Sequence, residues 1–407
     1  MEQAQIIALL HQTAPALVSN GDQLTRAFYQ HLFAQHPELQ HTFNMANQTS
    51  GKQARSLFDA IVLFVTKFDQ LETLGPDARR IAAKHTSLDI QPEHYPLVGA
   101  SLLATIRDTL GPAATPDVML AWELAYGRIA QVLMGVEAAT YEQQQTQPGG
   151  WRGFKPFVVA EVAVECEGIR SFYLVPAHGQ DLPTYQPGQF ISVSVQLPDH
   201  PFRQLRQYSL SDAPGKPYYR ITVKREEERP GLAPAGLISN YLHATLNAGD
   251  TLMVHAPSGE FYLDTAAQTP VVLLAGGVGI TPLMAMTEHS LQTNPTRRLV
   301  LIHAVRDARN QAFSARLAAL AAAHPSFRTF TLFGAPNAQP AWPGPFAIGL
   351  LSTEHLDTWL GAEDEPADYY CCGPTGFMQH VQQLLKARGV ANCHFEVFGP
   401  TQAEQLR

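Results

Sequence analysis

"PVVLLAGGVGITPLMAMTEHSL" (residues 270–291) sets the fold of the C-terminal third of this chain. Val271 to Ala275 form an unbroken apolar run, the pattern of a strand covered on both faces. Gly276, Gly277 and Gly279 then let the backbone come close to a pyrophosphate, and a helical stretch follows. Thr281 is expected to cap that helix, and Pro282 is preset for its first turn. Free N–H groups and the dipole at such a helix start favour an anion. The third glycine of the dinucleotide fingerprint is replaced by Pro282, so this loop alone is also compatible with a plain tight turn.

Downstream, "RLVLIHAV" (298–305), the Ala-rich "SARLAALAAAH" (314–324), "FRTFTLF" (327–333) and "DYYCCGP" (368–374) continue the alternation of strand and helix. This predicts a parallel α/β domain over 268–407. Upstream the texture differs. "FVVAEVAV", "SFYLVPA", "QFISVSVQL", "RQYSLSD", "YYRITVKRE" and "TLMVHAP" are short strands separated by Gly and Pro, which reads as a small antiparallel barrel or sandwich over 152–264. Residues 1–145 are all-α. Leu24, Phe28 and Leu32 recur at helical spacing in "QLTRAFYQHLF", with Asp22 as its expected cap and Pro37 as its stop. "QARSLFDAIVLFVTKF" (53–68), "EHYPLVGASLLATIRDTL" (93–110) and "PDVMLAWELAYGRIAQVLMGVEAATYEQ" (116–143) are three further helical runs. The polar "QQQTQPGGW" (143–151) is the expected linker.

With 407 residues and 45% apolar composition, two or three domains can each bury a core. Thirty-six acidic against 28 basic residues give a net charge of −8, which disfavours nucleic acid as a partner. No apolar run reaches the roughly 20 residues that span a bilayer, and the N-terminus does not read as a signal peptide. Four cysteines, of which only Cys371 and Cys372 are close together, make neither a disulfide framework nor a zinc site, so a reducing cytoplasm is expected. Nothing in the sequence decides the oligomeric state.

Further motifs give the Gly-rich loop its context. "RQYS" (206–209) lies in the barrel region and "CGPTGFM" (372–378) follows a strand of the α/β region. Together with "GGVGITP" they resemble the ferredoxin-NADP reductase superfamily, whose barrel holds FAD and whose α/β domain holds a nicotinamide dinucleotide. The resemblance implies that Arg206 pairs with the FAD pyrophosphate, that Tyr208 stacks on the isoalloxazine, and that Gln207 and Ser209 also contact the flavin. Phe190 in "PGQF" stands where that family usually places an aromatic, often Tyr, beside the flavin. "GLISNYL" (236–242), with Ser239, resembles a helix start that receives FAD phosphate. Gly277, Val278, Gly279, Ile280, Thr281 and Pro282 would bind NAD(P)H, with Cys372 near the nicotinamide. "VFGP", Val397 to Pro400 with Phe398 and Gly399, would close over the flavin. The plant-type iron–sulfur spacing is absent, so electrons leaving FAD need another acceptor.

The helical region supplies one. Tyr29, Phe43, Gln53, Leu57 and His85 fall in the order of a globin haem pocket, and Gln53 and Leu57, four apart, share a helix face. "FNMANQ", "KHTS", "PEHYPLVGASLLA", "AWELAYG" and "PGGW" are similar to bacterial and yeast flavohaemoglobins along essentially the whole chain. That resemblance implies an all-α globin haem domain, then an antiparallel β-barrel FAD domain, then an α/β parallel-sheet nucleotide-binding domain. It also implies haem b held by His85, with Phe43 and Leu57 against the ring. Tyr95 and Glu137 would form a proximal network with His85. Tyr29 and Gln53 would line the distal side, where the Tyr29 hydroxyl could donate to the gas ligand. Lys84 and Glu396 match positions that tune the haem and flavin potentials.

The activity implied is nitric oxide dioxygenation: NAD(P)H reduces FAD, FAD reduces haem, and O2 converts NO to nitrate. Two alternatives stand beside it. One is an oxygen-binding or gas-sensing globin with an auxiliary reductase. The other is a haem–flavin reductase of hydroperoxides or quinones. Arg306 and Arg309 follow "LVLIHAV" where a 2′-phosphate would be read, and both NADH and NADPH stay open as donors. The apolar run "IVLFVTKF" (61–68) leaves room for a lipid in the distal pocket.

Overall fold

A computed structural model describes residues 1–43, 65, 67–231, 234–334 and 344–398. Two compact units emerge, Met1–Phe154 with Ser194–Arg206, and Lys155–Val193 with Gln207–Arg407.

The first unit is built on helices α1 (Gln3–Ser19), α2 (Gly21–Gln35), α3 (Gly75–Ser87), α4 (His94–Leu110) and α5 (Pro116–Thr146). α5 starts as the sequence asks: the Thr115 hydroxyl accepts from the Val118 N–H at 3.3 Å, and Pro116 takes the first helical position, where its missing N–H costs nothing. It runs to Thr146, taking in the first four residues of the expected linker, and Trp151 beyond it is buried. Asp22 does not cap α2. It lies in the first turn, Asn20 holds the cap position without a side-chain cap bond, and Asp22 contributes through the helix dipole instead. Leu10, Phe28, Leu32, Ile106 and Ala121 form the fully buried centre of this unit. The Trp122 indole N–H donates to the Thr13 hydroxyl at 3.0 Å and ties α5 to α1. Between α4 and α5, a Cβ on Gly99 would stand 2.4 Å from the Tyr126 ring, so only glycine lets the helices approach this closely.

The antiparallel sheet comprises β1 (Phe154–Cys166), β2 (Ile169–Pro176), β3 (Phe190–Val195), β4 (Gln204–Ser209), β5 (Tyr219–Lys224) and β6 (Thr251–His255), in the order β4-β3-β6-β1-β2-β5. Its two end strands are bridged through Leu210 and Ile221, which closes the sheet on itself, a barrel rather than an open sheet. Helix α6 (Leu237–Thr245) precedes β6.

The second sheet is parallel: β7 (Val271–Gly276), β8 (Leu299–Val305), β9 (Phe327–Phe333), β10 (Phe346–Ile348), β11 (Asp368–Cys372) and β12 (Cys393–Glu396), ordered β10-β9-β8-β7-β11-β12. Helices α7 (Ile280–Thr293), α8 (Ser314–Ala323), α9 (Thr353–Trp359) and α10 (Thr375–Ala387) connect the strands. β7 is central. Chain order runs outward from it through β8 to β10 on one side and restarts with β11 on the other. The point where strand order reverses therefore lies between β7 and β11, at the carboxyl ends of both, where open α/β sheets bind their ligands.

Candidate functional site

In the helical unit, His85 sits in the last turn of α3, and its Nδ1 lies 2.7 Å from Glu137 Oε1. The Tyr95 hydroxyl donates to the same oxygen at 2.6 Å and stands 3.3 Å from the His85 nitrogen. α5 brings Glu137 in from its interior, with 2% of its surface exposed. A carboxylate so buried needs donors, and it has two. Burial, reinforced by Glu137, holds the Tyr95 hydroxyl far above its usual pKa, so it remains a donor. To donate as well, His85 must carry its proton on Nδ1, which leaves the Nε2 lone pair for a metal. No described residue takes Nε2. The donor set therefore fits haem iron: one imidazole nitrogen without a described partner, and its ring fixed by the carboxylate behind it.

Tyr29 on α2 is buried, edge-on to Phe43 at 5.7 Å between ring centroids and stacked on Phe33 at 5.6 Å. Its hydroxyl bonds to no described residue, and burial raises its pKa, so it keeps a proton to give. Gln53 and Leu57 lie outside the described residues. Lys84, beside His85, is half-buried, and its carbonyl accepts from the Ser87 hydroxyl at 2.8 Å.

In the barrel, Arg206, Gln207 and Tyr208 are three successive half-buried residues in an otherwise buried β4, so this stretch has an open side. Ser209 closes the strand, buried. The next residue, Leu210, donates its N–H to the Gln189 carbonyl at 2.9 Å, which brings "RQYS" against "PGQF". Phe190 exchanges both backbone bonds with Ser258, and a Cβ on Gly259 would stand 2.9 Å from the Phe190 ring. A half-buried arginine, tyrosine and phenylalanine are the residue types that suit a flat ring system with a diphosphate tail. The Ser239 hydroxyl is engaged in the turn before α6, donating to Gly236 and accepting from the Glu226 N–H.

At the reversal point of the parallel sheet, two Gly-containing loops meet. A Cβ on Gly279 would lie 2.2 Å from the Cys372 carbonyl oxygen, and one on Gly276 would lie 2.8 Å from the Phe377 ring. Backbone therefore packs on backbone here. Gly277 has φ +54°, and nothing stands within 4 Å of where its Cβ would be, so that side is open to a ligand. Val278 is half-buried, whereas Ile280, Thr281 and Pro282 are buried in the first turn of α7. Thr281 is not the cap. A short 3-10 turn over Gly277–Gly279 runs straight into the helix, Gly279 takes the cap position, and the Thr281 hydroxyl donates back to the Val278 carbonyl at 3.0 Å.

Cys372 ends β11 fully buried, in register with Ala275 on one side and Glu396 on the other. Burial pushes its thiol well above the normal pKa, which makes it a neutral wall rather than a nucleophile. Val397 packs on the sheet core and Phe398 is exposed, while Gly399 and Pro400 lie outside the described residues. Arg306 and Arg309 both engage Asp307, at 3.6 and 3.1 Å, with their guanidinium groups largely in solvent. Sequence reasoning missed His303. It is fully buried in β8 and bonds the Gly277 carbonyl at 2.9 Å. The available signal was a lone imidazole in the apolar run "LVLIHAV".

Known proteins match this arrangement. Family models match as Globin over residues 26–133, Oxidoreductase FAD-binding domain over 156–262 and Oxidoreductase NAD-binding domain over 273–383. The Flavohemoprotein of Bacillus subtilis is 40% identical over 397 residues, covering 97% of this chain and 96% of its own. That of Deinococcus radiodurans is 43% identical over 400 residues, covering 97% and 96%. A crystal structure of flavohemoglobin from Malassezia yamatoensis with bound FAD and heme superposes with a TM-score of 0.84 at 25% identity, over 97% of this chain and 99% of that one. The FAD/NAD binding domain of a nitric oxide dioxygenase from Vibrio cholerae matches at 35% identity and a TM-score of 0.54, over 61% of this chain and all of its own. The chain thus joins a globin domain, an FAD-binding domain and an NAD-binding domain in one oxidoreductase, and it belongs to the flavohemoprotein family.

Proposed function

We propose that this protein is an NAD(P)H-dependent nitric oxide dioxygenase that removes NO by converting it, with O2, to nitrate. When bound, the flavin takes a hydride from the nicotinamide and releases electrons singly, and the haem activates O2 toward NO. Overall, one NAD(P)H would serve two molecules each of NO and O2, yielding two nitrates, NAD(P)+ and a proton.

The observation that carries the reading is Glu137 Oε1 accepting from both His85 Nδ1 and the Tyr95 hydroxyl. A carrier needs a neutral imidazole that binds gas reversibly. An anion held against the far nitrogen makes the imidazole electron-rich, which favours chemistry at the iron over storage. The buried Tyr29 hydroxyl would donate to a ligand that gains negative charge. Phe43, edge-on to Tyr29, fixes its ring. In the reductase half, the backbone around Gly277–Gly279 would receive the pyrophosphate, and Cys372, which is buried, would wall the nicotinamide end. Arg206 would neutralise the FAD phosphates, and Tyr208 and Phe190 would flank its ring. Lys84 and Glu396 would set the two potentials. A nicotinamide-fed reaction of this kind fits a cytoplasmic setting, and no described helix is long and apolar enough to cross a membrane.

The same electron-rich imidazole would also support hydroperoxide reduction. Turnover of the haem- and FAD-loaded protein with NADH or NADPH against NO, an alkyl hydroperoxide and a quinone separates the readings. NO should be consumed far faster than the others, and a hydroperoxide rate equal to or above it would replace the dioxygenase reading with the peroxidatic one.

A further inference from the structure

We propose that His303 is a positioning residue for the nucleotide pyrophosphate, acting by locking the Gly277–Val278 peptide. The inference rests on the reading of Gly277–Gly279 as the phosphate loop.

His303 lies on β8, in register with Ala275 on β7, two residues before Gly277. Its Nε2 bonds the Gly277 carbonyl oxygen at 2.9 Å, and its Nδ1 has no partner among the described residues. The side chain is fully buried, and burial lowers its pKa to about 4, so it is a neutral ring with its one N–H on Nε2. The Ile280 N–H also points to the Gly277 oxygen, across the short turn. Two donors therefore draw this carbonyl inward.

A trans peptide is planar, and its C=O and N–H point in opposite directions. Pulling the Gly277 oxygen toward His303 therefore turns the Val278 N–H away from that side chain, to the side proposed for the pyrophosphate. Gly277 pays the conformational cost, since its φ of +54° is one that only glycine adopts readily. Without the imidazole donor, of the two only the Ile280 N–H across the turn holds that carbonyl inward, and a carbonyl that swung to face a phosphate would repel it. His303 is thus the side-chain donor that, with the Ile280 N–H, keeps the loop set to receive an anion. It touches no ligand itself.

The test uses the full-length protein loaded with haem and FAD, its flavin reduced by NADH under anaerobic conditions in a stopped-flow instrument. His303→Leu removes the donor at similar volume, and His303→Gln restores an N–H at a similar reach. His303→Leu should raise the NADH dissociation constant, and the inhibition constant of ADP-ribose, about tenfold, the scale of one hydrogen bond to a charged group. The limiting rate of flavin reduction and the FAD content should stay within about twofold of the parent. His303→Gln should recover most of the loss. Unchanged affinity in His303→Leu, or equal losses in both variants, would overturn the proposal. So would a fall in limiting rate and FAD content in step with affinity. If His303→Leu does not fold, His303→Asn, whose N–H falls short of the carbonyl, carries the same expectation. A parent protein that binds neither NADH nor ADP-ribose would instead remove the phosphate-loop reading itself.

Discussion

Under the proposed function, Glu137 would decide what kind of iron ligand His85 makes, since it holds His85 Nδ1 at 2.7 Å. Glu137→Gln keeps the shape and an acceptor oxygen but removes the charge. The folded, haem-bearing protein should persist while NO turnover falls about 10- to 100-fold. The iron–histidine stretching frequency should drop with it, and an unchanged frequency would show that the carboxylate does not act through His85. Tyr29→Phe tests the opposite side. Losing one donor to a ligand that carries charge should speed O2 dissociation about 10- to 100-fold in flash photolysis, without altering haem content. His85→Ala should abolish the Soret band while NADH still reduces the flavin, since the reductase residues belong to separate elements.

Among elements, the two loops at the ends of β7 and β11 are the least tolerant part of the reductase. Gly279→Ala would put a methyl group 2.2 Å from the Cys372 carbonyl oxygen, so one loop must move. A shift of about 1 Å at a hydride-transfer site costs about a hundredfold in rate. NADH-to-flavin reduction should fall on that scale, with flavin and haem content intact, and a loss of under threefold would show that the loops part easily. The two periodic patterns made most of the elements readable in the sequence. "VVLLAG", followed by glycines, has the pattern of a doubly covered strand, and Leu24, Phe28 and Leu32 recur at the spacing of one helix face. Short pieces escaped: β10, with three residues, and β12, with four, are too brief to show a period, and α9 was equally unmarked. The Asp22 and Thr281 caps failed because a residue type that favours caps does not fix where a helix begins. His303 escaped because a single imidazole in an apolar run says nothing of the neighbouring strand's carbonyl. The network of His85, Tyr95 and Glu137 spans 52 positions, and no local pattern could have joined it. Resemblance to a family suggested those residues, and packing of α3, α4 and α5 puts them on one carboxylate oxygen.

Over the whole molecule, the chain joins an NAD-binding, an FAD-binding and a globin domain in one polypeptide, which on the proposed reading would supply one electron donor to one oxygen chemistry. The flavohemoprotein relatives share that order along almost their full length, so the design is not an accident of one fused domain. The central claim is that both oxygen atoms added to NO come from one O2. It is tested most directly by supplying 18O2 and NADH to the holoprotein under limiting NO and analysing the products by mass spectrometry. The account predicts nitrate that carries two 18O atoms and matches the NO consumed. Nitrous oxide as the main product, or nitrate with one 18O or none, would contradict it.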